Sequence, residues 1–276
     1  MLRLMALTII WTNNITYTRK EVSRIVGVVK SFGSIYMPLT EEEYQKMVSY
    51  SSKLGLPTEL VFKIRNQARI QSEVENTSRL RAQLPRITEE LYSIQSDAHL
   101  TPTENSVLID RRLRNLNVPV PIIMSIFRSD ITLEPLYQSN YVQTLIANTT
   151  ERETAVRERA SAYERTLENF LRRKGVSFQT EEELRLEGKS NTPDILLRQP
   201  LRIVLEGVSY VIHWIDAKDS TLVNFPFIVS KLRKQAARYT KEFGQGALVF
   251  SGGLDLSIKI PGTILLEGNP STLEQL

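Results

Sequence analysis

Asp194, Asp216 and Lys218 are the residues of this chain best suited to chemistry on a charged substrate. Asp194 follows Thr192-Pro193 at the head of a strand-like run. Proline's missing N–H costs least at a strand start, and such a start holds the aspartate at a defined spot on the sheet edge. Asp216 and Lys218 flank Ala217 at the end of the run Ser209–Ala217. Side chains two apart on a strand share a face, so both point the same way. If the two strands are neighbours, Asp194 and Asp216 can chelate one divalent cation. Lys218 would lie beside it, able to orient or help deprotonate a water and to meet phosphate charge. Glu164, on a long charged helix, is a candidate outer or direct metal ligand. Gln235 and Tyr239 share one face of a later helix, from which they could bind a phosphodiester or brace the site.

Composition supports a carboxylate site by exclusion. The 276 residues include no cysteine and only two histidines, His99 and His213. Disulfides, zinc fingers, thiolate catalysis, iron–sulfur clusters and multi-histidine zinc sites are therefore excluded. A metal here sits mainly on carboxylates, which points to Mg²⁺ or Mn²⁺. The formal net charge of +4 is too small to imply a nucleic-acid partner by itself.

Each residue also has a plainer reading. An Asp-x-Lys at a strand end is usually a solvated ion pair, and Pro-Asp is commonly a turn. Glu164 sits among Glu151, Arg152, Glu153, Arg157, Glu158 and Arg159, where an exposed ion pair is the default. Gln235 and Tyr239 could be ordinary packing residues. The joint order is more informative than any member.

Two regions must position these residues. From about Leu39 to Thr150 the pattern is helical. Thr40 and Glu43 form a T-x-x-E capping box opening a helix to about Lys53. Gly55 and Pro57 punctuate it, and a second helix covers Glu59 to about Ser72, a helix-turn-helix-like pair. Further helices are expected over Thr88–Ser96, over Thr103–Asn115 and from near Pro121. Residues 151–276 change rhythm: a charged helix over 151–174 stopped by Gly175, a short strand around Val176–Phe178 and a small helix over Glu181–Glu187. Strands follow over Asp194–Leu197, Leu201–Leu205 and Ser209–Ala217, with turns at Gln199-Pro200 and Glu206-Gly207. A helix over Phe227–Phe243 and closing strands at Ala247–Phe250 and Thr263–Leu266 complete an α/β region with a mixed sheet.

The order of carboxylate helix, Pro-Asp, β-hairpin, Asp-x-Lys and Gln-x-x-x-Tyr helix is the PD-(D/E)XK nuclease pattern. More narrowly, Thr192-Pro193-Asp194-Ile195-Leu196, Glu206-Gly207 and Ile212-His213-Trp214-Ile215-Asp216-Ala217-Lys218 resemble the TPD family of these nucleases. The likeness extends to Leu171–Phe178, to Gln235 through Phe243-Gly244-Gln245-Gly246, and more loosely to Leu39–Tyr44. It spans roughly residues 38–270. The resemblance implies a restriction-endonuclease-like PD-(D/E)XK core with a mixed sheet, preceded by an all-α helix-turn-helix-containing region. It implies metal ligation by Asp194 and Asp216, catalytic support from Lys218, an auxiliary acid at Glu164, and, less directly, roles for Gln235 and Tyr239. An animal member has glutamate where this chain has Asp216; the superfamily pattern accepts either. That animal member interacts with codanin, so a codanin-like protein partner is expected beside DNA or RNA. The expected activity is metal-dependent phosphodiester hydrolysis; the alternative is a catalytically silent scaffold or nucleic-acid-binding module. Strand alternation puts Trp214 on the Asp216 face, where core packing is favoured, and His213 on the opposite face, bonding a neighbour. His99 is expected at the surface.

Residues 1–37 have no counterpart in that resemblance. They are expected to be a leader or disordered extension before a helical domain (38–150) and the nuclease-like domain (151–276). Residues 1–36 carry five basic groups and one acid, an imbalance that resembles a mitochondrial presequence; nucleus or cytoplasm is the favoured placement. No stretch approaches the roughly 18 apolar residues of a membrane span. Basic clusters occur at Lys63/Arg65/Arg69, Arg79/Arg81/Arg86, Arg111/Arg112/Arg114, Arg172/Arg173/Lys174 and Lys231/Arg233/Lys234/Arg238/Lys241. Most such runs are solvated faces.

Overall fold

The structure, a computed structural model, describes residues 7–97 and 102–276, with side chains in the second stretch from 105 onward. His99 lies outside the described residues. In chain order the elements are β1 (Thr8–Trp11), β2 (Thr16–Tyr17), α1 (Arg19–Ser31), α2 (Glu41–Lys53), α3 (Thr58–Ala82), α4 (Leu84–Ser96), α5 (Pro102–Leu116), α6 (Val120–Ser129), α7 (Glu134–Tyr137), α8 (Asn140–Arg173), β3 (Phe178–Thr180), α9 (Glu181–Leu186), β4 (Ile195–Leu205), β5 (Val208–Lys218), α10 (Pro226–Phe243), β6 (Gly246–Phe250), β7 (Leu254–Asp255), β8 (Thr263–Glu267) and α11 (Pro270–Gln275). The chain divides into two units. One takes Met1–Arg24 with Val156–Leu276, the other Ile25–Ala155.

The first unit is α/β with a mixed sheet in the order β1-β4-β5-β6-β8, and β3 pairs the first part of β4. Strands β4 and β5 are antiparallel; β5, β6 and β8 run parallel. Both faces are covered, which is why β6, Gly-Ala-Leu-Val-Phe, is buried throughout. On one face Tyr163, Leu167, Phe170 and Leu171 of α8 pack on Ile195, Ile215, Ala217, Ala247 and Val249. Their helical spacing supplies the apolar stripe. On the other face Val229, Leu232, Ala236 and Tyr239 of α10 cover Trp214, Leu248 and Phe250. Helix α8 stops as expected at Gly175, at φ 75°, where Val176 N–H reaches Leu171 O (3.0 Å) and Gly175 N–H reaches Arg172 O (2.9 Å).

Two expectations are corrected here. The runs 194–197 and 201–205 are one strand, β4, whose register with β5 shifts between Leu196 and Leu201. Pro200 removes one donor, and a bulge absorbs that loss without breaking the strand. The expected leader is also not outside the fold. Strand β1 pairs in parallel with β4, from Thr8 opposite Arg202 to Trp11 opposite Leu205. Ile9 and Trp11 point into the core, and Trp11 packs edge-on against Phe170 at 5.6 Å. Its indole N–H donates to Glu267 O at 2.7 Å. The partner strand lies far along the chain, so local sequence gave this apolar run no mate.

The second unit is helical. The capping box at Thr40 forms with both its hydrogen bonds. Helix α3 follows the expected tight turn and continues for 25 residues, past Ser72, because no glycine or proline interrupts it. Val61, Ile64 and Ala68 bury its inner face. Leu91, Ile94, Ile109, Leu113, Ile123 and Leu133 form this unit's main core. Helix α8 begins at Asn140, well before the expected 151, and the division between units falls at Ala155 rather than Thr150. No described helix is long and apolar enough to cross a membrane.

Candidate functional site

The bulged hairpin of β4 and β5 sets the site. Ile195 pairs Ile215 and Leu196 pairs Trp214. One further step of that antiparallel register sets Asp194 opposite Asp216, where directly paired side chains lie about 4.5–5.5 Å apart at Cβ. Asp194 sits just beyond the end of the regular ladder, and its Oδ2 accepts the Ala217 N–H at 2.6 Å. The carboxylate thus stands in for the backbone acceptor that a longer β4 would have supplied.

Asp216 is buried to 1% exposure. Its Oδ2 is closed off from solvent and pairs with the Lys218 ammonium. Its Oδ1 accepts a long 3.4 Å hydrogen bond from Gln235 Nε2. Gln235 also donates to Tyr239 Oη at 3.4 Å. The Tyr239 hydroxyl in turn donates to the Thr192 carbonyl at 3.1 Å. Helix α10 therefore touches both halves of the pair: Gln235 steadies Asp216, and Tyr239 anchors the segment carrying Asp194. Burial raises the Tyr239 pKa above its ordinary value, so the phenol keeps the proton that this bond uses.

The electrostatics follow from crowding acids out of water. Burial, then the Asp216 charge, push Asp194 from 3.8 up to about 8, against the opposing pull of Lys218 and the Ala217 N–H. Burial also works on Lys218, to disfavour its charge, but Asp216 and Asp194 outweigh it and hold its pKa above the ordinary lysine value. Lys218 is thus an ammonium at neutral pH, fit to stabilise negative charge and unfit to take a proton. Glu164 on α8 is half-buried; burial raises its pKa, Glu181 and Asp216 add to the rise, and Lys218 opposes it. Glu164 therefore shares the electrostatic field of the pair.

Sequence reasoning missed Glu181. It opens α9, its Oε1 accepts from Thr192 Oγ1 at 3.2 Å, and its N–H donates to Asp194 O at 3.1 Å. The signal was present as Thr180-x-x-Glu183, a capping box that fixes where α9 starts. Trp214 shares the α10-covered face with Asp216, as expected. Trp214 is fully buried and meets Tyr239 edge-on at 5.2 Å. It is core, and its N–H donates to Gly244 O at 2.9 Å. The ring leaves no room for a side chain opposite it, since a Cβ on Gly246 would fall 2.1 Å from Trp214 Cε2. The His213 ring lies against Gly244.

Two adjacent buried carboxylates that repel each other, with a third acid nearby, fit a hard, oxygen-seeking divalent cation. Among the described residues no group of three or more His, Asp or Glu is close enough to hold a metal alone. The carboxylates that the fold brings together here are Asp194 and Asp216, with Glu164 in their electrostatic field.

Residues 136–266 match the family described as a protein of unknown function with a TPD sequence motif. An uncharacterized protein of Acanthamoeba polyphaga mimivirus is 32% identical over 268 residues, covering 95% of this chain and 95% of that protein. CDAN1-interacting nuclease 1 of Danio rerio is 31% identical over 117 residues, covering 41% of this chain and 37% of that protein. Its Xenopus laevis counterpart is 32% identical over 117 residues with the same coverage. The chain thus aligns with well under half the length of these nuclease-named relatives. No solved structure matches it.

Proposed function

The chain belongs to the TPD sequence-motif family, and from that premise we propose that it is a metal-dependent nuclease with a restriction-endonuclease-like PD-(D/E)XK core. The observation that carries this reading is the buried Asp194/Asp216 pair beside a protonated Lys218. The nuclease-named relatives support it in outline.

In this reading Asp194 and Asp216 hold Mg²⁺ or Mn²⁺. Two carboxylates suit Mg²⁺, which keeps several waters and takes substrate phosphate oxygens as further ligands. When bound, the cation supplies Lewis-acid charge and an activated water. The chain's own residues do the rest. Lys218 meets the negative charge that grows on the phosphoryl oxygens as water attacks. Gln235 keeps the Asp216 carboxylate turned toward the site, and Tyr239 fixes the Thr192-Pro193-Asp194 segment. Glu164, with its raised pKa, is placed to exchange a proton with water at the rim. The exposed Lys234 and Arg238 on α10 offer positive charge to an approaching phosphate chain. A nuclease-fold scaffold working through a codanin-like partner is the second reading; the printed name of the partial relatives supports it.

Labelled single- and double-stranded DNA and RNA incubated with Mg²⁺, Mn²⁺ or EDTA test the proposal. Cleavage is expected with metal only, and Asp216→Asn and Lys218→Ala are each expected to lower it by about 10²–10³-fold, the usual cost of one charge-stabilising group. Cleavage that survives both substitutions refutes the site.

A further inference from the structure

The helical unit carries a crevice that the proposed chemistry does not use. Two adjoining cavities, of about 220 and 290 Å³, share Arg79 and Asn117 as lining residues. Lys30 at the end of α1 lines the first, and Arg86 on α4 lines the second. No aspartate or glutamate lines either. Several other arginines of this unit are paired. Arg65 donates to the Val29, Phe32 and Ser34 carbonyls, Arg69 pairs with Glu73, Arg112 with Glu90 and Asp97, and Arg114 with Asp110 and Glu43. Among the described residues, the side chains of Lys30, Arg79 and Arg86 make no hydrogen bond or ion pair, and all three residues are exposed to solvent. Gln83 and Asn115 add neutral polar groups. Asn117, at φ 50°, is held by its side-chain oxygen, which accepts from Ser34 Oγ at 3.0 Å, so its amide N–H groups are left for another acceptor.

Three like charges converging on polar cavities repel one another until an anion fills the space between them. The cavities meet at Arg79 and Asn117, with one further cation lining each, and three cations set around adjoining pockets suit a repeating polyanion better than a single small ion. We propose that this crevice is a track for the phosphate backbone of a polynucleotide. Its cations carry no base-reading geometry, so the contact positions the strand without selecting sequence. The inference rests on the nuclease reading only for the choice of polyanion.

The test uses the full chain in EDTA, with fluorescein-labelled duplex DNA and single-stranded RNA followed by anisotropy from 50 to 300 mM KCl. Each lost phosphate contact lowers the slope of log K against log salt by about 0.9 on duplex and about 0.7 on single strands. Lys30→Ala/Arg79→Ala/Arg86→Ala is expected to flatten the slope by about 2–3 and to weaken binding at least tenfold at 0.1 M salt. Lys53→Ala, an exposed cation outside the crevice, is expected to leave both unchanged. The milder Arg79→Gln/Arg86→Gln pair, with about two-thirds of the slope change, keeps the test open if the triple variant folds poorly. An unchanged slope, an equal loss in Lys53→Ala, or binding to phosphatidylserine vesicles with none to any oligonucleotide overturns the proposal. If the parent chain shows this salt slope in EDTA yet cleaves no oligonucleotide when Mg²⁺ or Mn²⁺ is supplied, the nuclease reading falls and the crevice stands.

Discussion

Replacing Asp194 by asparagine should change how stability depends on pH in a way that no surface carboxylate can mimic. Asparagine keeps the volume, and its side-chain oxygen can still accept the Ala217 N–H that Asp194 accepts at 2.6 Å. What it removes is the ionisation. Unfolded, Asp194 titrates near 3.8; folded, burial and Asp216 push it to about 8. Between those values the native chain keeps a proton that the unfolded chain has released. Stability therefore falls as pH rises through this window, and the loss is complete above the folded pKa. Each pH unit costs at most about 1.4 kcal/mol. Because the charge is shared with Asp216 and Lys218, the whole fall is expected to be roughly 2–5 kcal/mol. Urea melts of the parent and Asp194→Asn at pH 5, 6, 7 and 8 in EDTA measure it. The variant should gain on the parent as pH rises. Millimolar Mg²⁺ should offset the parent's loss most at pH 8, by about 2.7 kcal/mol at a hundred times Kd, with little effect on the variant. A parent-minus-variant difference that stays flat from pH 5 to 8 refutes the electrostatic account of the pair.

Three further outcomes are expected. Gly246→Ala places a Cβ 2.1 Å from the buried Trp214 ring and should destabilise by about 1–3 kcal/mol or more through overpacking, read as a lower denaturation midpoint. Trp11→Ala should cost about 3–5 kcal/mol, because Trp11 is 1% exposed and packs on Phe170; an unchanged thermal midpoint would mean that β1 is dispensable. Tyr239→Phe removes only the hydroxyl that donates to Thr192 O and should cost about 0.5–1.5 kcal/mol of stability. It should lower nuclease turnover without changing oligonucleotide affinity, since the hydroxyl touches the protein and not the substrate.

Much of the sheet unit was legible from its sequence because its signals are local. The alternation around Trp214 and Asp216, the stop at Gly175 and, in the helical unit, the capping box at Thr40 each depend on residues within a few positions of one another. Asp216 and Lys218 could be set on one face because strand alternation fixes which side chains share it, whereas pairing Asp194 with Asp216 needed the two strands to be neighbours, as the family resemblance implied. Residue chemistry alone, with no cysteine and two histidines, confined metal ligation to carboxylates.

Tertiary structure alone decided what depends on distant partners. An apolar run behind a basic residue reads as a leader until β4 is set beside it, and only then do Ile9 and Trp11 have a core to enter. Pro200 reads as a turn until the bulge against β5 carries the strand through it. Lys218 reads as a base or a cation from its type. The two carboxylates beside it outweigh its burial and keep it a cation. Glu181 reads as a capping-helix acid until Thr192 and Asp194 fold onto it. Sequence fixes the intrinsic chemistry of each group and its local geometry. Proximity across the fold sets the charge state, because Coulomb energy and desolvation depend on neighbours that the chain order does not reveal.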